Sequence, residues 1–337
     1  MEEIGVIVVS WHDAPDLYEA IASLARARAG VPPDGPRVRL TVVVNGGDAS
    51  PREIAGRWPD ADVVVNAENR GFGPAANQGA ARTPSPILLF LNPDTRAEGD
   101  PFSAIARGFR ERPGAVALAP RLLDEDPASG GGAEADAARL APPGRENQFT
   151  FQLRSLPTIA ADARELLLFD HIFPNNPGRR RARYAERNPD RPLPVSQAAA
   201  AALAVRADAF RRLGGFAEAF APAWFEDVDL CARLAPLGEI VYWPSARFRH
   251  RGGISSARLG YARFLPLYHR NALRYRRRHY GLPARAAYRI LLPIGMLLRL
   301  VALPLRRSDP RPKSESARAY LSVLRLSFGL GGPPPDD

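Results

Sequence analysis

Residues 224–229 read Trp-Phe-Glu-Asp-Val-Asp, setting three carboxylates, Glu226, Asp227 and Asp229, within four residues behind two bulky aromatics. Carboxylates this close beside apolar surface repel one another unless a metal, a proton or a cation offsets them. A further acid, Asp94, ends the apolar run that begins at Pro86, and His250 closes another strand-like run. Asp94, Asp227 and His250 together have the composition of a metal-assisted transferase or hydrolase site. Glu226 taken alone has a simpler reading, because the macrodipole favours acids in the first turn of the helix that follows.

These residues need a scaffold, and the first 120 positions alternate strand and helix signals. Gly5–Val9 is a short β-branched run of the kind buried on both faces. Asp13 is placed to cap a helix with Pro15 in its first turn and Leu17, Ile21 and Leu24 on one face. Further strands are expected over 40–44, 62–65, 87–91, 115–118, 200–205 and 239–243. Repeated β-loop-α units predict an α/β domain with an open, mostly parallel sheet. Ligands bind such sheets beyond the carboxyl ends of the strands, where Asn45, Asn69 and Asp94 fall.

Asn69-Arg70-Gly71-Phe72-Gly73-Pro74-Ala75-Ala76-Asn77-Gln78-Gly79 follows a strand and opens a helix. Its glycines allow close backbone approach, and a helix N-terminus can face a diphosphate. The same residues fit the loose dinucleotide pattern G-x-G-x-x-A, so an NAD-dependent oxidoreductase is one alternative. That fingerprint belongs in the first βα turn of its domain, whereas here it follows the third strand.

The net charge of +10 is unevenly placed. Arg247 to Arg318 holds 17 arginines and the chain's single lysine, Lys313, against Asp309 and Glu315, a formal +16 that leaves the rest at −6. The positive charge lies near apolar segments without a nucleic-acid reading motif, so no nucleic-acid partner is expected. Ile290–Leu305 is apolar, sixteen residues long and interrupted by Pro293, Arg299 and Pro304. A span needs about 20 residues, so an interfacial helix or a helix packed on the catalytic domain is expected instead. One cysteine, Cys231, rules out an intramolecular disulfide. The acidic start, Met1-Glu2-Glu3, running straight into a strand, reads as lacking a signal peptide.

In this order, VIVVSWH, VVVNGG, NRGFGPAANQG, LLFLNPD, GGFAEAFAPAWFEDVDLCARL and HRGGIS resemble the family 2 glycosyltransferases, inverting enzymes of GT-A fold, and especially their rhamnosyltransferase-like branch. The resemblance covers roughly residues 4–255. It implies a nucleotide-sugar donor contacted by Ser10, Asn45, Asn69, Gly71, Gly73, Asn77, Asn92 and Asp94. Asp94 would hold Mg²⁺ or Mn²⁺ against the diphosphate, with His250 joining the metal or diphosphate site. Asp227 matches the general base that deprotonates the acceptor hydroxyl. Glu226 and Asp229 would orient the loop or meet the acceptor, and Arg233 could pair with one of these acids. Trp224 would stack on a sugar face or fill a core.

Departures from the family pattern are Asn92-Pro93-Asp94 with a single carboxylate, Val44-Asn45 in place of Asp-Asn, His12 in place of Asn, and Ala200-Ala201 in place of Gly-Ala. A non-catalytic glycan-binding protein with a decayed site is the second alternative. The expected organisation is a catalytic domain over 1–255 with an irregular insertion at about 124–195. A basic helical segment follows over 256–330, then a disordered tail at 331–337. The implied substrate is a deoxyhexose such as rhamnose, moved to a cell-surface glycan or lipid-linked acceptor. The expected location is cytoplasmic, peripheral on the inner face of an anionic membrane.

Overall fold

A computed structural model describes residues 2–124, 148–252, 259–305 and 311–330. Residues 125–147 of the expected insertion and the expected tail at 331–337 lie outside the described residues. The chain divides into two compact units. The first comprises 1–156, 183–222 and 226–252, and the second 157–182, 223–225 and 253–337.

The first unit is built on a nine-stranded sheet. Its strands, and those of a small second sheet, are β1 (Glu3–Ser10), β2 (Arg37–Asn45), β3 (Asp62–Asn66), β4 (Ile87–Leu91), β5 (Thr95–Glu98), β6 (Ala115–Asp124), β7 (Leu153–Arg154), β8 (Leu193–Val195), β9 (Gln197–Ala198), β10 (Ala202–Arg206) and β11 (Glu239–His250). The large sheet has the order β3-β2-β1-β4-β10-β6-β11-β5, with β8 beside β11, while β7 and β9 pair separately. Six of its strands run one way and β5, β8 and β10 run against them. The expected mostly parallel α/β sheet is therefore present.

Helices α1 (Ala14–Ala29), α2 (Pro51–Arg57), α3 (Phe72–Arg82) and α4 (Pro101–Glu111) connect the early strands. Alternation along the strands explains the layers. Ile4, Val6 and Val8 of β1 join a core with Leu17, Ile21 and Leu24 of α1 and Phe102, Ile105 and Phe109 of α4. Ile7 and Val9 face the opposite core, with Ala75, Ala76 and Ala80 of α3. Gly79 permits that contact, since a Cβ there would lie 2.7 Å from Ile7 Cγ2. The predicted face of α1 is thus buried. Asp13 sits at its N-cap without a side-chain cap bond. Its carbonyl oxygen instead accepts from Leu17 N at 2.8 Å.

The chain runs outward from β1 to β3, then returns to place β4 on the other side of β1. This reversal opens a crevice beyond the carboxyl ends of β1 and β4. Asn92–Asp94 follows β4 at that edge.

In the second unit, α5 (Ile159–Leu166) and two short helices, Phe169–Ile172 and Pro177–Ala182, accompany the C-terminal helices. Numbering continues through α6 (Ala207–Arg212) and α7 (Glu226–Leu234) of the first unit to α8 (Tyr261–His279), α9 (Leu282–Ala302) and α10 (Lys313–Ser327) of the second. Arg276 of α8 is paired with Asp162 of α5, with an Nε–Oδ2 distance of 2.8 Å, and its guanidinium lies 3.9 Å from the Tyr288 ring centroid. Tyr280 donates to the same carboxylate at 3.0 Å. A buried ion pair with this many partners holds three helices together, and removing one member would strand the other.

The expectation of a short helix beginning at Ile290 is corrected. The helix starts at Leu282, with Pro283 tolerated in its first turn, and continues through Pro293. With its 3₁₀ extension it spans Leu282–Leu305, 24 residues, long and apolar enough by length and composition to cross a membrane. One face, Tyr288, Leu292, Gly295 and Met296, is buried. Arg299 donates to the carbonyls of Leu166 and Glu165 at 2.9 Å each, capping the end of α5.

Candidate functional site

Asp94 and His250 lie 156 positions apart in sequence, and the sheet joins them. After β4, Thr95 N donates to Asn92 O at 3.2 Å, turning the chain into β5. Strand β5 pairs antiparallel with β11, with Thr95 opposite His250. Asp94 Oδ1 consequently lies 3.4 Å from His250 Nε2, and Asp94 Oδ2 accepts from Gly252 N at 3.0 Å. Both side chains are buried. Burial by itself would raise the Asp94 pKa, but the His250 charge and hydrogen bond, with the Gly252 amide, outweigh it and hold the carboxyl below its usual value.

Gln148 sets the imidazole. Its amide nitrogen donates to His250 O at 2.8 Å, so its Oε1, 2.7 Å from His250 Nδ1, is the accepting atom. With Nδ1–H held there, Nε2 faces Asp94, as a donor in the protonated ring and as a lone pair open to a cation in the neutral one. One carboxylate and one imidazole converging this way suit a hard or borderline divalent cation. Among the described residues no group of three or more His, Cys, Asp or Glu is assembled for a metal. The pair therefore fits Mg²⁺ or Mn²⁺ only as a partial ligand set, which oxygens of a substrate and water would have to complete.

Asp227 stands in the first turn of α7. Its Oδ1 accepts from Val228 N at 2.7 Å and its Oδ2 from Ala200 N at 3.4 Å. Burial raises its pKa, while those two amides and the Arg154 charge pull the other way without cancelling the rise. A carboxylate with a raised pKa is better matched to accepting a proton near neutrality. Trp224 and Phe225, which lead into the helix, both have positive φ, 73° and 74°, an uncommon state for large side chains. Both belong to the second unit. There Trp224 meets the Phe264 ring edge-on at 4.8 Å and its carbonyl accepts from Asn271 at 3.1 Å. That contact gives Trp224 a packing role.

Glu226 is buried, its Oε2 has no hydrogen-bond partner, and its Cβ is 3.8 Å from where a Cβ on Gly73 would lie. Burial first, then the Asp227 charge, pushes its pKa well above 4.5. A carboxyl raised on folding carries no penalty below its unfolded pKa. The cost grows as pH rises from about 4.5 toward the folded value, and is then complete. Glu226→Gln should therefore raise the melting temperature at pH 7 and leave it unchanged near pH 4. Thermal unfolding across pH checks this, and an equal loss of stability at both pH values would contradict it.

Other expected contacts are corrected by where the hydrogen bonds go. Asp229 is fully buried and paired with Arg233 at 2.7 Å. Arg233 also donates to Leu213 O and Gly215 O at 3.1 and 2.9 Å. Asp229 thus fastens the loop and cannot meet an acceptor. Asn45 is buried and shared among Asn66, Asn69, Arg70 N and Gly71 O. Asn77 clamps the Phe216 peptide, accepting at 2.8 Å and donating at 2.9 Å. Both are scaffold rather than donor contacts.

The glycine loop is closed in the same way. Arg70 N goes to Asn45, Gly71 N to Asn69 Oδ1 at 2.9 Å, Phe72 N to Pro222 O at 2.7 Å, and Ala75 N to Gly71 O at 3.2 Å. Gly71, at φ +88°, lies where a Cβ would meet Ala221 and Pro222 at 2.9 Å. Gly73 is itself buried. Of the amides expected to face a diphosphate, those of Arg70, Gly71, Phe72 and Ala75 are engaged within the protein, which also weakens the NAD reading. Ser10 is buried at the end of β1, while Asn92 and the exposed Asn69 lie at the sheet's edge.

Sequence reasoning missed Gln148, Phe151 and Arg154. The Phe151 ring stacks near His250 at a 6.5 Å centroid separation, and the Arg154 guanidinium lies 5.7 Å from the Phe151 centroid. They fall in the stretch without strand or helix rhythm, so no periodic signal could have found them.

Residues 5–163 match the family model for glycosyl transferase family 2. The chain is 27% identical over 268 residues to an N-acetylglucosaminyl-diphospho-decaprenol L-rhamnosyltransferase of Mycobacterium tuberculosis, covering 76% of this chain and 78% of that one. Among solved structures it is similar to S. aureus TarS 1-349, at 12% identity and a TM-score of 0.47, over 97% of this chain and 90% of that one. It is also similar to GalNAc-T7 solved with UDP, GalNAc and Mn²⁺, at 11% identity and a TM-score of 0.45. There it covers 74% of this chain and spans less than half, 44%, of the other. Neither score reaches one half.

Proposed function

We propose that this chain, a glycosyltransferase with a family 2 match over residues 5–163, is an inverting, metal-dependent enzyme acting on a nucleoside-diphosphate sugar. The meeting of Asp94 with His250 at 3.4 Å carries the metal part of this reading. These two would hold Mg²⁺ or Mn²⁺, which when bound offsets charge on the departing diphosphate. Asp227, buried and held by two backbone amides, takes the proton of the acceptor hydroxyl as its oxygen attacks the anomeric carbon. A single displacement of this kind inverts the anomeric centre. The named activity of the mycobacterial relative supports rhamnose, or another deoxyhexose, as the sugar. It likewise supports a lipid-diphosphate-linked saccharide, on the way to a cell-surface glycan, as the acceptor.

The test is release of nucleoside diphosphate on mixing a nucleotide sugar, Mn²⁺ and a short prenyl-diphosphate saccharide. Acceptor-dependent release supports transfer. Release indifferent to acceptor and metal, or from no nucleotide sugar at all, sinks it. The occupied amides of the glycine loop leave the dinucleotide alternative without a supporting observation.

We further propose a peripheral position on the cytoplasmic face of the membrane, through the second unit. The face of α9 opposite its buried stripe exposes Ile290 by 62%, Leu297 by 50% and Val301 by 77%. Arg285 and Arg289 stand near its start. A helix buried along one side in its own unit and apolar along the other suits lying in the interface better than spanning. The protein should float with anionic vesicles at low salt, and Ile290→Glu with Val301→Glu should cut the floated fraction about tenfold or more. Equal flotation of the double variant would remove α9 from the account.

A further inference from the structure

Arg154 is a half-buried cation of the first unit that, among the described residues, forms no ion pair. It belongs to β7, paired with β9 through Arg154 opposite Gln197. Its Nε is buried without a hydrogen-bond partner, and among the described residues no carboxylate pairs with it. Its guanidinium faces the Phe151 ring, which stacks in turn near His250. Its charge also acts on Asp227, lowering that carboxyl's pKa. The arginine is thus linked through Phe151 to the neighbourhood of His250 and electrostatically to the base.

A buried donor left without a partner is costly, and arginine's planar fork matches phosphate oxygens. Other arginines of this unit have a carboxylate partner: Arg233 with Asp229, Arg96 with Asp16 and Glu19, and Arg121, whose own Nε also lacks a hydrogen-bond partner, with Asp190. Arg154 lacks such a pair beside a site read as handling a diphosphate.

We propose that Arg154 is a phosphate-binding residue that receives an oxygen of a diphosphate, the donor's or that of a lipid-linked acceptor. The inference rests on the glycosyltransferase reading. In the donor case, the bond from the anomeric carbon to the phosphate oxygen breaks and its electron pair stays on that oxygen. The acceptor oxygen bonds the same carbon, and its proton goes to Asp227. Arg154 then donates to the phosphate as its charge increases, an interaction stronger after bond cleavage than before. In the acceptor case, the same fork holds the lipid's diphosphate and places the attacking hydroxyl.

The test measures dissociation constants on the full chain for UDP, GDP and dTDP with Mn²⁺, and separately for farnesyl diphosphate. Wild type, Arg154→Gln, Arg154→Lys and Asp94→Ala are compared. Arg154→Gln should weaken one class about tenfold or more, and Arg154→Lys should recover part of the loss. Loss confined to the nucleotides assigns the donor's diphosphate; loss confined to farnesyl diphosphate assigns the acceptor's. Arg154→Gln with both affinities unchanged, while Asp94→Ala loses metal-dependent nucleotide binding, overturns the role of Arg154 and leaves the transferase reading standing. A lower melting temperature with unchanged affinities also overturns it, as the mark of a purely structural residue. A wild-type protein that binds none of the probes overturns both.

Discussion

Asp227→Asn lowers turnover by about 10²–10⁴-fold, the usual worth of a positioned general base, with nucleotide-sugar affinity within about twofold of wild type. The asparagine keeps the shape of the side chain, and its amide oxygen can still accept from Val228 N, which the carboxylate now meets at 2.7 Å. What disappears is the basic lone pair. Because burial holds the Asp227 pKa above 3.8 in the folded protein, activity of the wild type should fall on the acid side as that carboxylate takes up a proton. The asparagine variant has no such group, so its residual rate should lack that limb. Steady-state rates across pH, with donor affinity measured separately, check both statements. A variant that loses donor binding while remaining folded would remove Asp227 from the base position.

Asp94→Ala has the second large effect. It should weaken Mn²⁺-dependent binding of the nucleotide sugar by about 100-fold or more, beyond the 10–100-fold typical of residues that only orient metal ligands. The carboxylate supplies one of two converging ligand atoms, and His250 alone offers a single nitrogen. Gln148→Ala should act more mildly, because it frees the ring rather than removing a ligand. If Asp94→Ala and wild type bound the donor equally with and without metal, the cation would have no place at this pair.

Much of the sheet was legible because its central strands are continuous apolar runs. Such runs arise when both faces are buried, as for Val6–Val9 and Leu88–Leu91. The short strands β5, β7, β8 and β9 carry too few residues for a pattern to register. Strand β5 matters most, since its register with β11 joins Asp94 to His250. Family motifs pointed to both residues, but no spacing in the chain predicts their contact.

The asparagines show a different limit. Asn45 ends β2, Asn69 follows β3 and Asn77 lies in the helix α3 that comes next, positions where a ligand-facing role is natural. A sequence does not say which backbone groups need partners, and here the loops consume their amides. The start of α9 was missed because Pro283 and Arg285 look like interruptions, although proline suits a first helical turn. Gln148 and Arg154 had no pattern to reveal them and emerge only from the packing around His250 and Asp227.

The most direct test of the account is thermal stabilisation of the full chain by dTDP-, UDP- and GDP-sugars, each with Mn²⁺ and with chelator, with NAD as control. Ligands that bind only the folded state raise its melting temperature in proportion to the logarithm of their concentration over Kd. The account predicts a rise with nucleotide sugars of one base class, present with Mn²⁺ and absent with chelator. A rise with NAD alone, or with no nucleotide sugar under either condition, would contradict it.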